Sequence, residues 1–340
     1  MKELIPEQIQ ILAQGCPFPL YVTGGAVRDC LAGLKCAADW DLAAPVSAET
    51  FEKAACKCGF TVQSVYKHTG TVNVSKEGVK IEFTSFRSDK YRRGEHAPCD
   101  VVFTDDIETD AKRRDFKCNA VYYEIARGEF VDPLGGIRDI RDQIVSTTRE
   151  ADEVFSEDGL RLMRLARQAA QLGFTPDFPT LFGAKFNAAL IGKISAERVF
   201  SELTLILHAD EKYGIPYAQY NGLKVLQSTD VLRYILPELA LGDGMPQRAD
   251  FHDHDVLEHS LRTVKYADRS IRLAALLHDV GKPYCYANFG NYHHIQRTFP
   301  HRFVLLERNT AQRLRREFFH KQIPRGLSFA KIGITNEEIP

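Results

Sequence analysis

The stretch that decides the fold is LYVTGGAVRD, residues 20–29, and a DWD triplet follows it at residues 39–41. Its first three residues favour a β-strand, whereas residues 26–32 favour an α-helix that Gly33 ends. Two adjacent glycines separate the strand from the helix, so the chain is predicted to turn directly from one into the other. This order of elements predicts an α/β unit in the first part of the chain.

The glycine turn is a candidate phosphate site. Gly24 and Gly25 let backbone amides approach an anion closely, and the free N–H groups at the start of the helix favour negative charge. Arg28 lies one turn into that helix and adds a positive charge. The alternative is a purely structural turn, because two glycines before a helix are common.

The DWD triplet is a candidate metal site. Residues two apart on a strand point to the same face, so Asp39 and Asp41 share one side while Trp40 packs on the other. Two close carboxylates repel each other, but they suit a pair of Mg²⁺ ions in phosphoryl transfer. Glu82, on a strand-like run at residues 80–86, is a third candidate carboxylate, and its alternative is an ordinary surface residue.

The length and composition indicate a multidomain protein without a membrane span. The 340 residues exceed the roughly 250–300 at which one core stops growing. No apolar run approaches the ~18 residues of a transmembrane helix, and the N-terminal MKELIPEQIQ lacks the features of a secretory signal. We expect a cytoplasmic location and reduced thiols for the eight cysteines, and the composition does not indicate an oligomeric state.

The hydrophobic periodicity divides the chain in two. Residues 1–145 mix short β-rich runs with helical stretches, such as residues 47–57 with Ser47 as the N-cap. From Phe155 onward, apolar residues recur with the period of helices. The predicted fold class is therefore α+β, with an all-helical second part. The charged segment 87–100 is predicted to be a surface loop.

Two further segments combine basic and apolar residues, RRDFKCNA at residues 113–120 and EDGLRLMRLAR at residues 157–167. In the second, Ser156 is a candidate N-cap, and Asp158 begins a ridge of charged residues spaced by three. The ridge continues through Arg161, Arg164 and Arg167. The alternative is a salt-bridged ridge exposed to solvent.

Six motifs follow one another along the chain: GGAVRD, DWD, RRDFKCNA, DPLGG, EDGLRLMRLARQAAQLGF and ISAERVFSEL. In this order they resemble the class II tRNA nucleotidyltransferases, which are the CCA-adding enzymes and their bacterial poly(A) polymerase relatives. The resemblance implies a polymerase-β-type nucleotidyltransferase head at residues 1–145 and a helical neck and body at 146–240. It also implies an HD-like helical domain at 241–310 and a basic tail at 311–340.

By its position, the resemblance implies that segment 87–100 is the mobile loop associated with switching from C to A addition, and an ordinary surface loop is the alternative. The resemblance also implies roles for individual residues. Asp39 and Asp41 would bind catalytic Mg²⁺, and Asp158 and Arg161 would select the incoming base. The other nucleotide-binding residues would be Gly24, Gly25 and Arg28 at the triphosphate, Arg114 at the sugar or phosphate, and Arg164 and Arg167 at the base or triphosphate.

The implied reaction is attack of the 3′-hydroxyl of tRNA on the α-phosphorus of CTP or ATP, with release of pyrophosphate. A carboxylate accepts from the exocyclic amine of cytosine or adenine, and a guanidinium donates to the adjacent ring nitrogen. Full CCA addition, CC-only addition, A-only addition and poly(A) synthesis stay open, because these enzymes share the motifs. An HD-type phosphohydrolase or a non-catalytic RNA-binding protein is the alternative from another class.

The helical part contains a second candidate site. His259, with His278 and Asp279 in LAALLHDVGKP, resembles the metal site of HD phosphohydrolase domains. No aspartate follows Asp279 to complete that site, so we expect it to be vestigial. Further on, residues 297–325 carry eight basic residues and two glutamates, which predicts either a phosphate-contacting surface or a solvated helix face.

Overall fold

The computed structural model describes residues 1–34, 39–247 and 253–290. The strands are β1 Tyr21–Thr23, β2 Trp40–Ala44, β3 Thr61–Tyr66, β4 Thr71–Lys76, β5 Val79–Ser85, β6 Arg87–Tyr91, β7 Pro98–Phe103, β8 Tyr122–Glu124, β9 Glu129–Val131, β10 Ile144–Val145 and β11 Thr175–Pro176. Seven of them form one sheet in the order β3-β4-β5-β2-β1-β8-β9.

Helices cover this sheet and make up most of the second part of the chain. The helices of the first part are α1 Glu7–Gly15, α2 Gly25–Leu31, α3 Ala48–Lys57, α4 Ile107–Lys112 and α5 Gly136–Arg141. Those of the second part are α6 Ala151–Glu157, α7 Leu160–Leu172, α8 Phe178–Phe186, α9 Ala196–Leu207, α10 Asp210–Tyr213, α11 Ala218–Ser228, α12 Val231–Ile235, α13 Pro237–Ala240, α14 Val256–Tyr266, α15 Arg272–Leu277 and α16 Lys282–Phe289. A mixed first part and a helical second part confirm the predicted α+β fold class.

The glycine turn and the DWD triplet lie side by side at the centre of the sheet. Strand β1 pairs antiparallel with β2, with Thr23 opposite Asp41, and β2 pairs parallel with β5, with Asp41 opposite Glu82. Along β2 the side chains of Trp40 and Leu42 are buried, whereas that of Asp41 faces outward. The alternation predicted for DWD is therefore present, with its apolar side in the core.

The glycine turn and the helix predicted at residues 47–57 also form where the sequence predicts them. Helix α2 begins at Gly25, directly after β1. Helix α3 begins after Ser47, whose Oγ accepts a hydrogen bond from the Thr50 N–H at 3.3 Å and so caps the helix.

Helix α7 is the central helix of the second part. The apolar row Leu160, Met163 and Ala166 is buried, and Gly173 ends the helix in the left-handed conformation. The predicted N-cap Ser156 is wrong, because helix α6 extends through it and its Oγ donates to the Glu153 carbonyl. The N-cap of α7 is Gly159, and the carboxylate of Asp158, one residue earlier, accepts from the Leu160 N–H at 2.9 Å.

The segment predicted as a surface loop at residues 87–100 is instead part of a β-hairpin. Strands β6 and β7 pair antiparallel and form a separate two-stranded sheet. The sequence Arg-Ser-Asp-Lys-Tyr of β6 lacks the alternation of apolar residues that predicts a strand, because this hairpin is only half-buried.

Some sequence predictions fall outside the described residues. These are the basic segment 297–325, the proposed tail 311–340 and the end of the proposed HD-like domain after residue 290. Within the ranges that the structure describes, no helix combines the length and the apolar character needed to cross a membrane.

Candidate active site

A cleft of about 380 Å³ opens between the sheet and helix α7. All of the predicted nucleotide-binding residues line it, and so does Asp41, whereas Asp39 does not. The lining that sequence reasoning missed comprises Arg87, Asp89, Tyr91, His96, Arg113, Asp115, Asn119, Gln168, Gln171, Leu172 and Lys212. Basic side chains outnumber acidic ones around the cleft, so its charge favours an anionic ligand.

The glycine turn lies directly against the carboxylate of Asp41. Gly24 has a φ of +70°, in the region that favours glycine, and a Cβ built on it would lie 2.8 Å from Asp41 Oδ2. Any side chain at this position would therefore strain the backbone and collide with the carboxylate. This close approach leaves the backbone of the turn and Asp41 facing the same space.

The surroundings of Asp41 disfavour its charged form, mainly through desolvation. Its side chain is exposed to the cleft, but the cleft walls desolvate the carboxylate and, with Glu82 and Asp39, raise its pKa to about 6. Arg114 and Arg164 act in the opposite direction and only partly offset this effect. Carboxylates held together in this way gain from a bound cation, and their oxygens are the ligands that Mg²⁺ prefers.

The three carboxylates line one face of the sheet without closing on a single point. Among the described residues, three candidate ligand atoms lie within 4.8 Å of one another only in the cluster of His259, His278 and Asp279. Asp39, Asp41 and Glu82 therefore do not form a closed ligand set by themselves, and a metal ion held by them would need further ligands from water or substrate.

Arg28 is buried at the edge of the cleft and is held by protein groups. Its Nη1 donates to Asn119 Oδ1 at 2.7 Å, its Nη2 to Asp29 Oδ1 at 2.6 Å, and its Nε to the same Asp29 oxygen at 3.0 Å. Tyr213 Oη in turn donates to Asp29 Oδ2 at 2.6 Å. Contact of Arg28 with a triphosphate stays a prediction, because most of its donors already have partners.

Arg114 belongs to a second buried network. Its Nε donates to Tyr122 Oη at 3.0 Å and its Nη2 to Asp110 Oδ2 at 3.2 Å, and its guanidinium carbon lies 5.1 Å from the centre of the Tyr122 ring. Burial disfavours the charge, but the partners Tyr122 and Asp110 outweigh it and raise the pKa of Arg114. The arginine therefore stays charged at the side of Asp41.

Asp115 connects the sheet part to helix α7 and was missed by sequence reasoning. Its Oδ2 accepts from Arg164 Nε at 2.8 Å, and its Oδ1 accepts from the Phe116 N–H at 2.8 Å and from Asn119 Nδ2 at 3.0 Å. Burial opposes ionisation, but Arg164 and these hydrogen bonds hold the pKa of Asp115 well below its usual range. The only signal in the sequence is its position within RRDFKCNA.

The charged ridge of α7 faces the cleft, so the alternative of an exposed salt-bridged ridge is wrong. Asp158 and Arg161 are buried, and Arg164 and Arg167 are half-buried. The guanidinium of Arg161 donates to the carbonyl oxygens of Val154 and Arg113 and to Glu157 Oε2, at 3.0, 2.8 and 2.9 Å respectively. Arg167 is held by Glu202 Oε2 at 2.7 Å.

Asp158 presents one carboxylate oxygen to the backbone and one to the hairpin. Oδ1 accepts from the Leu160 N–H at 2.9 Å, and Oδ2 lies 2.9 Å from His96 Nδ1. Burial raises the pKa of Asp158 to about 6, although the Leu160 N–H and Arg161 favour the charged form. The spacing of three residues placed Asp158 and Arg161 on one ridge, whereas the contact of Asp158 with His96 had no local signal.

The second candidate site lies on helix α14 and just beyond the end of α15. His259 Nε2 lies 3.3 Å from His278 Nε2, and Asp279 Oδ2 lies 3.6 and 3.2 Å from these two nitrogens. His278 Nδ1 is 2.7 Å from the Ala275 carbonyl, which leaves Nε2 for a metal. Lys282 Nζ already contacts Asp279 Oδ2 at 2.6 Å and competes with a cation there.

The chain is similar to known proteins over most of its described length. Residues 20–146 match the family described as the Poly A polymerase head domain, and residues 173–241 match the one described as a probable RNA- and SrmB-binding site of polymerase A. A CCA-adding enzyme of Geobacillus kaustophilus is 37% identical over 223 residues, which are 66% of this chain and 52% of that protein. A multifunctional CCA protein of Xanthomonas campestris is 30% identical over 276 residues, or 77% of this chain and 63% of that protein.

A solved structure supports the same assignment. The CCA-adding enzyme of Bacillus stearothermophilus in complex with CTP is 30% identical, with a TM-score of 0.62 over 82% of this chain and 64% of that one. This chain thus spans only about half to two thirds of these relatives. The matched segments cover more than half of the chain in the same order, and the chain belongs to the family of nucleotidyltransferases that comprises the poly(A) polymerases and the CCA-adding enzymes.

Proposed function

We propose that this protein adds CCA to the 3′ end of tRNA from CTP and ATP, with Mg²⁺ as the cofactor and pyrophosphate as the second product. The observation that carries the proposal is the cleft in which Asp41 and the glycine turn face Asp158 and Arg161. Such an enzyme needs one site for the reacting phosphates and another for the base. The two walls of this cleft provide them. The similarity to CCA-adding enzymes supports the proposal.

Nucleotidyltransferases generally use divalent metal ions, and we propose that Asp39 and Asp41 hold Mg²⁺ here. When bound, the ion supplies positive charge to the phosphoryl oxygens and lowers the barrier to displacement. Asp41 fits this role, because its desolvated carboxylate lies near two others and lacks a direct basic partner that neutralises it. Glu82, opposite Asp41 in the sheet, adds negative charge to the same face.

We propose that the basic wall of the cleft positions the triphosphate. The charges of Arg114 and Arg164 both lower the pKa of Asp41. Both arginines therefore lie close to the carboxylate beside which we place the reacting phosphates. Lys212 joins them at the edge, although burial and the charge of Arg28 lower its pKa. Preorganised positive groups of this kind stabilise charge in the transition state without reorganising.

We propose that Asp158 and Arg161 read the base. An ionised Asp158 only accepts hydrogen bonds, so it suits the exocyclic amine of cytosine or adenine and leaves the carbonyl of uracil unpaired. The backbone N–H of Leu160 and the carbonyls around Arg161 hold the two side chains in fixed positions. Selection of the nucleotide by the protein itself requires such rigidity.

The base-reading proposal predicts a loss of selectivity in two variants. We expect Asp158→Ala and Arg161→Ala to lower kcat/KM for CTP by about 10- to 100-fold, since a hydrogen bond to a charged group contributes ~1.5–3 kcal/mol. The ratio of CTP to UTP incorporation should also fall in both variants. Asp158→Asn should raise UTP incorporation relative to CTP, because its amide can donate to the uracil carbonyl. Unchanged discrimination in folded variants would contradict the assignment.

The relatives that add only CC, only A or long poly(A) tails remain the nearest alternatives. They share the metal, triphosphate and base sites, and the number and order of added nucleotides distinguish them. We also propose that the reaction takes place in the cytoplasm. The division into a head at residues 1–145 and helical domains at 146–240, 241–310 and 311–340 likewise stands as a proposal.

The cluster of His259, His278 and Asp279 supports a second, separate proposal, a transition-metal site without phosphohydrolase activity. Two imidazoles and a carboxylate within 4.8 Å suit Zn²⁺ or Co²⁺. We expect His278→Ala to weaken Co²⁺ binding at least about tenfold in a calorimetric titration, because a ligand is lost. His68→Ala, which removes an exposed histidine elsewhere, is the control. Equal Co²⁺ affinity in all three proteins would exclude the site.

A further inference from the structure

The tip of the hairpin β6–β7 is attached to the end of helix α6, next to the proposed base-reading pair, and to Lys193. At its tip, the Gly94 N–H donates to the Ser156 carbonyl at 2.6 Å, and Lys193 Nζ donates to the Arg93 carbonyl at 2.5 Å. A Cβ built on Gly94 would lie 2.9 Å from Lys193 Cδ, so the tip packs closely against this region. The hairpin therefore has a fixed position over one wall of the cleft.

Both base-reading side chains contact this hairpin. Tyr91 places its ring 5.4 Å from the guanidinium carbon of Arg161, and His96 Nδ1 lies 2.9 Å from Asp158 Oδ2. Oδ1 of Asp158 already accepts from the Leu160 N–H, and His96 lies against Oδ2, one of the two oxygens that can accept from the base. An ionised carboxylate oxygen has two acceptor sites, and Oδ2 can accept from His96 and from an exocyclic amine together.

The direction of this hydrogen bond decides how well Asp158 can accept a hydrogen bond from the base. If His96 Nδ1 carries the proton and donates, Asp158 is an ionised acceptor and matches the amine of cytosine or adenine. If Asp158 carried the proton and donated it to His96, that proton would be used in this bond and the neutral carboxyl would be a weaker acceptor for the amine. Burial raises the pKa of Asp158 to about 6 even though the Leu160 N–H and Arg161 favour the charged form, so a further donor at Oδ2 helps to keep the carboxylate an acceptor.

We propose that His96 is a specificity-determining positioning residue, which donates to Asp158 Oδ2 and keeps this carboxylate oriented as an acceptor for the incoming base. The proposal rests on the proposed nucleotide-transfer function. His96 acts through Asp158 and does not itself touch the reacting atoms. Its side chain is 38% exposed, so its removal leaves the core of the hairpin intact.

The test compares CTP with UTP in three single-residue variants. We expect His96→Ala to lower the ratio of kcat/KM for CTP to that for UTP by about tenfold or more, by the logic of hydrogen-bonded discrimination. His96→Asn should restore most of the ratio, because its amide N–H can stand where Nδ1 stands. His68→Ala should leave the ratio unchanged, since His68 is exposed and lies outside the cleft lining. A merely structural role would lower both rates together without changing the ratio.

Equilibrium binding of CTP and UTP, measured by calorimetry without tRNA, separates the possible failures. A wild-type protein that binds CTP over UTP but transfers neither would contradict the proposed function and still report on His96. An unchanged CTP-to-UTP ratio in His96→Ala would overturn the role of His96 while leaving the transfer function intact. Equally tighter binding of both nucleotides in His96→Ala would also overturn it, because the histidine would then only obstruct the cleft.

Discussion

Replacing Asp41 with asparagine should lower the rate of nucleotide transfer by at least about 10³-fold, because charge stabilisation by a bound metal contributes several kcal/mol to phosphoryl transfer. Asparagine keeps the shape of the side chain but removes the negative charge that would hold the ion. The rate is measured with saturating Mg²⁺, tRNA and CTP, so that a weaker affinity for substrate does not mimic the effect.

The same substitution should not destabilise the protein. Desolvation and the charges of Glu82 and Asp39 raise the pKa of Asp41, so the ionised carboxylate is unfavourable in the metal-free protein. We therefore expect the melting temperature of Asp41→Asn without Mg²⁺ to equal or exceed that of the wild type, as is common for residues kept for function. Asp105→Asn, which removes an exposed charge outside the cleft lining, is the matched control and should keep full activity. A transfer rate within tenfold of the wild type would refute the metal assignment.

Replacing Asp115 should have the largest effect on stability. Removing a buried acceptor leaves its donors unsatisfied, which typically costs about 1–3 kcal/mol. Asp115→Ala leaves Arg164 without this acceptor and also removes the acceptor of the Phe116 N–H and of Asn119. We expect the free energy of unfolding in urea to fall by about this amount. Asp142→Ala is the control, because Asp142 pairs with Arg141 at the surface and its loss should leave stability unchanged.

The Asp115–Arg164 pair also predicts how stability depends on pH. The pKa of Asp115 is depressed in the folded protein, so its stabilising contribution is fully present above the unfolded value of about 3.9. It is lost as the pH falls from there toward the folded pKa. Below about pH 4 the wild type should therefore lose stability more steeply than Asp115→Asn. Parallel curves for the two proteins in acid would mean that Asp115 is not ionised in the native state.

The features that local sequence determines were predicted well. A strand, two glycines and a helix require only neighbouring residues, and the structure places Gly24 at a φ of +70° as the turn demands. The alternation of Asp41 with the buried Trp40 follows equally from the two-residue period of a strand. The same holds for the apolar row of α7, which helical spacing determines.

The features that depend on distant parts of the chain could not be predicted in this way. The spacing of Asp158 and Arg161 placed them on one ridge, but only the packing of α7 against RRDFKCNA shows that the ridge is buried. His96 reaches Asp158 from 62 positions away, on a hairpin whose polar sequence resembles a loop. Ser156 had the residue type of an N-cap, but α6 continues through it, and tertiary context overrode the local preference.

The most direct test of the central claim is to incubate the protein with Mg²⁺ and a tRNA transcript that lacks its last three nucleotides, and to resolve the products at single-nucleotide length. CTP and ATP are supplied separately and together. The proposed function predicts two additions from CTP alone, three additions from both nucleotides, and then a stop. Two additions from both nucleotides, an A only on a CC-ended transcript, or a long A ladder would assign the chain to a different member of its family. No addition by a folded protein that still binds tRNA would contradict the proposed transfer activity itself.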